Sequence, residues 1–299
     1  ADPVTGKWWM HYGSFFGGLY CVELDPETGL PAEEGDQGHL TARRANYQKD
    51  NLEAPEIIYN PDLKQYYLFV SYDPLMTTYN VRVGRSDKAE GPFVDFSGVE
   101  LKDTTNNFPI LTAPYRFHNH PGWAGTAPCS VFTLDEGQYF MAHQGRLSPH
   151  NQMMDLHLRQ VFFTPDGWPV VSPERYTGCV SRKFSAEDMA GEWEVIRIQE
   201  PAYERRLQAG QILWGEGQLK EEEWNVSHLL SLEKNGNLGE NKGTWELLEA
   251  KQLLSLTLEG EIINNLIIFA GHDWENEKET VLFTGLDSCG RSIWGKRIK

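Results

Sequence analysis

Long apolar runs are missing from this 299-residue chain, and no stretch approaches the roughly 18 residues that a membrane-spanning helix needs. Positive charge is short as well. With 27 Lys+Arg against 43 Asp+Glu the formal net charge is -16, and no basic stripe is available to displace counterions from a phosphate backbone. The first readings therefore include no membrane span and no nucleic-acid partner. Cysteine is sparse: Cys21, Cys129, Cys179 and Cys289 form no CxxC or other tight spacing, so neither a zinc site nor a redox motif is visible. They read as buried free thiols, with a disulfide left open for an exported protein.

Aromatic side chains are plentiful. The chain holds 10 Trp, 12 Tyr and 14 Phe beside 28 Gly and 16 Pro, at a mean hydropathy of -0.50. So many rings in a chain that is not greasy read either as flat surfaces for sugar rings or as the core of large β-sheets. The length suits one large domain or two ordinary ones.

One pattern recurs. Lys7 to Ser14, Gln65 to Tyr72 and Gln138 to Gly145 are aromatic strands, each after a turn and each followed by another β-rich run. In the second and third copies an apolar strand, Ile57 to Tyr59 or Ser130 to Phe132, also precedes the turn. Such a recurrence predicts blades of a β-propeller. The first copy has no strand before its Asp2-Pro3-Val4-Thr5-Gly6 turn, so the chain reads as beginning in mid-domain, with an unpaired blade edge for a companion segment to cover. After Tyr176 the style changes. Short alternating strands, including 193–198, 210–215, 253–258, 266–269 and 281–286, predict a second all-β module. The expectation is an all-β chain: a partial propeller over 1–180, then a small barrel or sandwich over 181–299.

Glu53, just before the innermost strand of a blade and followed by Ala54-Pro55, is the best placed carboxylate for work on a ligand in the channel; Glu56 competes. Ser14 and His143 end the aromatic strands of their own blades, and their convergence on one face would give them meaning. Trp123, in a Gly-rich loop, reads either as a stacking platform or as a plug for that loop. Arg85 and Arg146 read as structural hydrogen-bonders.

Tyr12-Gly13-Ser14-Phe15-Phe16-Gly17-Gly18, Glu53-Ala54-Pro55-Glu56, Tyr79 to Ser86, Gly91-Pro92-Phe93 and Phe162 to Val171 together resemble glycoside hydrolase family 43. The similarity is to its larger two-domain arabinanases, with residues 1–176 carrying most of it. The resemblance implies a five-bladed propeller and an inverting mechanism with a base Asp, a tuning Asp and a general acid Glu. The acid falls on Glu53. Both Asp residues are expected from a missing N-terminal segment, because Asp2 falls inside a turn. Ser14 and Phe15 would contact substrate, with His143 and Trp123 beside them. The family's channel calcium is in doubt, since Pro128 stands where a His ligand is expected; His143 is the first replacement, ahead of His118 and His120. The implied activity is endo-hydrolysis of α-1,5-arabinan outside the cell or in a periplasm. Exo-acting arabinanase or arabinofuranosidase activity is the alternative within the class, and a non-catalytic carbohydrate-binding protein is the rival outside it.

Overall fold

A turn that exposes polar tips and a strand that alternates large rings with small residues can do little alone, but stacked they bury one face of each sheet against the next. The structure, a computed structural model, describes all residues except 16, 45–50, 105, 135–136, 181, 201–217 and 259. The expected strand at 210–215 lies outside the described residues. The first sheet is β1 (Trp8–Ser14), β2 (Gly18–Leu24) and β3 (His39–Ala42). The second runs β4 (Leu52–Asn60), β5 (Gln65–Tyr72), β6 (Asn80–Ser86) and β7 (Ile110–Thr112), antiparallel throughout. After two short strands, β8 (Tyr115–Arg116) and β9 (Trp123–Ala124), the third comprises β10 (Cys129–Thr133), β11 (Tyr139–Leu147), β12 (Asp155–Phe163) and β13 (Pro169–Val171). All three aromatic strands are where the sequence pattern places them, as β1, β5 and β11.

The helix α1 (Ala186–Met189) then leads into a barrel, its Ser185 and Asp188 forming a reciprocal capping box. Its strands are β14 (Gly191–Arg197), β16 (His228–Leu232), β17 (Asn237–Leu238), β18 (Gly243–Leu248), β19 (Leu253–Leu258), β20 (Glu261–Asp273), β21 (Lys278–Leu286) and β22 (Ser292–Arg297), closed by pairing of β22 with β14. The remaining strand of this half, β15 (Asn225–Val226), does not join the barrel. Barrel closure leaves no free edge, and the interior is filled by Trp193, Leu230, Leu254, Leu266, Phe283 and their neighbours. The Glu221-Glu222-Glu223 run, which reads as a solvated loop, is instead a short 3-10 turn with Glu223 buried and Glu221 paired to Arg116 at 3.0 Å.

The two halves share a core. β15 pairs in parallel with β8 and so extends the third sheet. Ile196, Ile198 and Trp294 from the barrel half pack in one cluster with Tyr79, Tyr115, Phe117 and Trp123. Glu194 accepts from the His118 amide at 2.8 Å and the Ser227 hydroxyl at 2.7 Å, satisfying a carboxylate that is 3 % exposed.

At the same junction, the fully buried Lys296 ammonium meets Glu174 and Asp273 at 2.9 Å each, and Glu275 as well. It also lies 3.9 Å from the centre of the Phe117 ring. Burial raises the Glu174 carboxyl to about 8, against the pull of Lys296 and with the help of Glu275. In the fold this carboxyl keeps a proton that the unfolded chain gives up from about 4.5 upward. Its stabilisation is therefore complete below about 4.5 and is lost as pH rises through about 8. Thermal denaturation at constant ionic strength should show the melting temperature falling across that window. Glu174→Gln, which keeps the uncharged shape, should flatten the slope, and an unchanged slope would refute this account.

Candidate active site

Glu53 is the second residue of β4, where the strand is irregular. Glu53 pairs with Ser71 and Glu56 with Phe69, so Ala54 and Pro55 together oppose Val70 as a bulge. Ala54 takes φ 54°, a left-handed conformation that costs a non-glycine residue about 1–2 kcal/mol. Bulges re-aim side chains at the mouths of sheets, and the residue re-aimed here is the half-buried Glu53. Its Oε1 accepts a hydrogen bond from the Tyr79 hydroxyl at 2.6 Å, and among the described residues Oε2 has no partner. Burial first, then the bond to Glu53, pushes the Tyr79 hydroxyl far above its ordinary range, so it remains a donor.

Glu56, the competing carboxylate, is used differently. Its Oε1 accepts from the Ser130 hydroxyl at 2.9 Å and from the Val131 amide at 3.0 Å. It ties β4 to β10, the first strand of the neighbouring blade.

Ser14 and Phe15 occupy the turn between β1 and β2. Gly13 there has φ +141°, and a Cβ on it would sit 2.3 Å from the Gly18 carbonyl, which explains why the turn is built on glycine. Ser14 is exposed at the tip. The Asn51 amide donates to the Phe15 carbonyl at 3.0 Å, and the Asp73 amide to the Asn51 carbonyl at 2.9 Å. The turn is thus fastened to the chain two residues before Glu53, and the structure brings Ser14, Phe15 and Glu53 to one end of two adjacent blades.

Asp2 is held inside its turn. Its carboxylate accepts from the amides of Val4 at 3.1 Å and Thr5 at 3.2 Å and from the hydroxyls of Thr5 and Tyr66. Burial opposes these donors, yet they win and hold its carboxyl below the usual range. Four donors on one carboxylate leave it no role as a base toward a distant water.

His143 and Trp123 need correction as direct contacts. His143 is 2 % exposed on β11, with Nδ1 2.7 Å from the Gln144 carbonyl and Nε2 2.8 Å from the Arg159 guanidinium. Burial, then the Arg159 charge, lowers it to about 3, so the ring is neutral with Nδ1 donating and Nε2 accepting. Both nitrogens are spent, and a cation finds no lone pair there. Trp123, expected as a platform, is 5 % exposed. His120 stacks on it at 5.6 Å, Arg175 lies over its ring at 5.2 Å, and His157 meets its edge at 4.4 Å. It plugs its loop.

For calcium, Pro128 offers no donor and His120 Nδ1 accepts from the Gly122 amide, while His118 is bonded through its backbone amide and, among the described residues, not through its ring. Among the described residues the one His/Cys/Asp/Glu group tight enough for a metal is Glu174, Asp273 and Glu275, and Lys296 already stands among them. Neither Pro128 nor His143 can therefore supply the histidine ligand that the resemblance implies. Arg85 and Arg146 are structural: Arg85 donates to the Asp166 carbonyl at 2.7 Å and Arg146 to the Asn151 carbonyl at 2.6 Å. The four cysteines are free thiols, but of the four only Cys21 is buried; Cys129 and Cys179 are half-buried and Cys289 is exposed.

Two groups escape a reading of the sequence. Tyr79 is one, because only the register of β5 against β6 turns it toward Glu53. The other is a buried set at the same end of the blade. Asp73 accepts from Arg44 at 2.5 Å and Asn80 at 2.6 Å, and the Tyr72 ring sits 5.1 Å from one guanidinium, Arg44, and 4.6 Å from the other, Arg82. This set secures Asp73, and through it the Asn51 carbonyl that precedes Glu53.

The geometry, one half-buried carboxylate at a bulged strand mouth, can be compared with known proteins. Residues 2–169 match the profile of glycosyl hydrolases family 43, and residues 173–295 match a C-terminal lipocalin-like domain. The chain is 27% identical to extracellular endo-alpha-(1->5)-L-arabinanase 2 of Bacillus subtilis, over 99% of this chain and 64% of that protein. It is 29% identical to an extracellular endo-alpha-(1->5)-L-arabinanase of Thermotoga petrophila, over 98% of this chain and 62% of that protein. The crystal structure of an endo-1,5-alpha-L-arabinanase from Thermotoga petrophila superposes with a TM-score of 0.81 at 27% identity, covering 98% of this chain and 65% of that one. The chain thus spans less than two thirds of the length of the relatives it matches. With a family profile over more than half of its residues, the chain belongs to glycosyl hydrolases family 43.

Proposed function

We propose that this chain carries the general acid of an endo-acting α-1,5-arabinanase that works with inversion outside the cell. The observation that carries the reading is Glu53: half-buried at a bulge, one oxygen held by Tyr79 and the other without a partner among the described residues. A carboxylic acid so placed can give a proton from Oε2 to a leaving glycosidic oxygen while Oε1 is anchored. In an inverting enzyme the base stands across the sugar, with roughly 6.5–9.5 Å between carboxyls for the attacking water. Asp2 is saturated with donors, so in this reading the base and the tuning Asp come from sequence outside residues 1–299. The names of the arabinanase relatives support arabinan as the substrate and export as the location. No step is routed through calcium.

The test is digestion of linear arabinan by the full-length protein, following product lengths and, by proton NMR, the first anomer formed. A ladder of oligosaccharides with the β-anomer appearing first is expected. Arabinose released only from chain ends would indicate exo cutting, an α-anomer would refute inversion, and binding without turnover would indicate a carbohydrate-binding protein.

A further inference from the structure

We propose that Tyr79 is a positioning residue for proton transfer, fixing the acidic hydrogen of Glu53 on Oε2 and binding Oε1 more strongly as that hydrogen leaves. The inference rests on the reading of Glu53 as general acid. Tyr79 donates to Oε1 at 2.6 Å, so when Glu53 carries the proton its acid role requires, Oε1 is the carbonyl-like oxygen and the hydrogen sits on Oε2. In the reaction the proton passes from Oε2 to the glycosidic oxygen. The C1–O bond breaks with its electron pair going to that oxygen, and Glu53 is left as a carboxylate. The Tyr79 bond thereby changes from one between neutral groups to a charge-assisted one, roughly twice as strong. An interaction that grows toward the transition state raises kcat and leaves KM alone.

The surroundings keep Tyr79 in place for that task. Its ring is 1 % exposed within the main core cluster, and its carbonyl accepts from the Thr126 amide at 3.0 Å and the Thr126 hydroxyl at 3.2 Å. The Thr126 carbonyl in turn accepts from Thr112 at 2.8 Å. Gly125 permits this close approach, since a Cβ there would lie 2.7 Å from the Leu75 carbonyl. Tyr79 therefore reaches Glu53 from a rigid base on the neighbouring strands, independent of the bulge that carries the acid.

The experiment compares Tyr79→Phe, Glu53→Gln and the double variant in the full-length protein, on arabinan and on aryl α-1,5-arabinotriosides of graded leaving-group pKa. Tyr67→Phe is the structural control, because its buried hydroxyl serves only the Gly167 carbonyl at 2.5 Å. Tyr79→Phe should lower kcat about 5- to 12-fold on arabinan and poor leaving groups, the difference between a hydrogen bond to a charged group and one between neutral groups. It should leave KM and the dinitrophenyl substrate nearly unchanged, and should add nothing in the Glu53→Gln background. An equal loss of kcat on every leaving group, or a further loss in the double variant, would make the role of Tyr79 structural and overturn the proposal. If Glu53→Gln keeps its activity on arabinan, the assignment of the acid fails. If Glu53→Gln loses arabinan turnover while Tyr79→Phe behaves like Tyr67→Phe, only the inference about Tyr79 fails.

Discussion

Glu53→Gln should reduce kcat on linear arabinan by about 10²–10⁴-fold, the usual contribution of general acid catalysis, while arabinan still binds. The amide matches the carboxyl in shape, and its oxygen can accept the Tyr79 hydrogen bond at the position of Oε1. It has no acidic proton, so the glycosidic oxygen must leave as an alkoxide. Glu56→Gln is the discriminating control, because the Glu56 carboxylate is already committed to Ser130 and Val131. That variant should keep most of its turnover and lose some thermal stability. Steady-state kinetics with calorimetric titration of arabino-oligosaccharides would check both. If Glu53→Gln retained more than a tenth of kcat, or if Glu56→Gln were the dead variant, the acid would have been assigned wrongly.

Lys296→Met should be the most damaging single change to stability, at about 3–5 kcal/mol, the cost of removing one partner from a buried ion cluster. Lys296 is fully buried and faces three carboxylates. Methionine fills the stem's volume but leaves Asp273 and Glu275 facing each other across a site where Asp273 is buried and Glu275 only partly reaches water. Only Glu174, with its raised pKa, can neutralise itself cheaply. For a chain of this size the expected fall in melting temperature is roughly 6–20 °C. A cycle with Glu174→Gln should show coupling, since the second change removes one of the groups left unpaired. A loss of less than about 1 kcal/mol, the worth of a surface pair, would mean that the cluster is solvated and not a buried lock.

The parts of this molecule that were legible in the sequence are those whose signal is local. The aromatic strands run for seven to nine residues and follow turn residues, and Glu53 sits two residues before a proline at a strand mouth. Trp123 misleads because a Gly-rich loop has the same local chemistry whether its ring is bare or covered. Arg175, 52 positions later in the chain, and His157 on another strand cover it. His143 misleads similarly: nothing near it in sequence announces that Arg159, on the paired strand β12, will take its free nitrogen. The aromatic surplus resolves mostly to packing. Trp123, Trp168, Trp193, Trp224, Trp245 and Trp294 are all buried, which takes six of the ten tryptophans away from any sugar-binding surface. Lys296 and its three acids lie on separated segments, and charge composition alone cannot gather them.

The sharing of Ile196, Ile198 and Trp294 with the propeller core, and of β15 with its third sheet, bears on how such a protein can be inherited and rebuilt. A cassette that recombination or an engineer can exchange needs a seam where few side chains cross, with its own hydrophobic centre on each side. Here the seam runs through a core. Replacing residues 173–295 with an unrelated appendage would remove from the propeller half a strand and three apolar core residues, and from Lys296 all three of its carboxylates. In this chain the two halves are coupled through that seam, and a substitution on one side is expected to need compensation on the other. A chimera that respects this would exchange Tyr115, Phe117 and Lys296 along with the barrel that grips them.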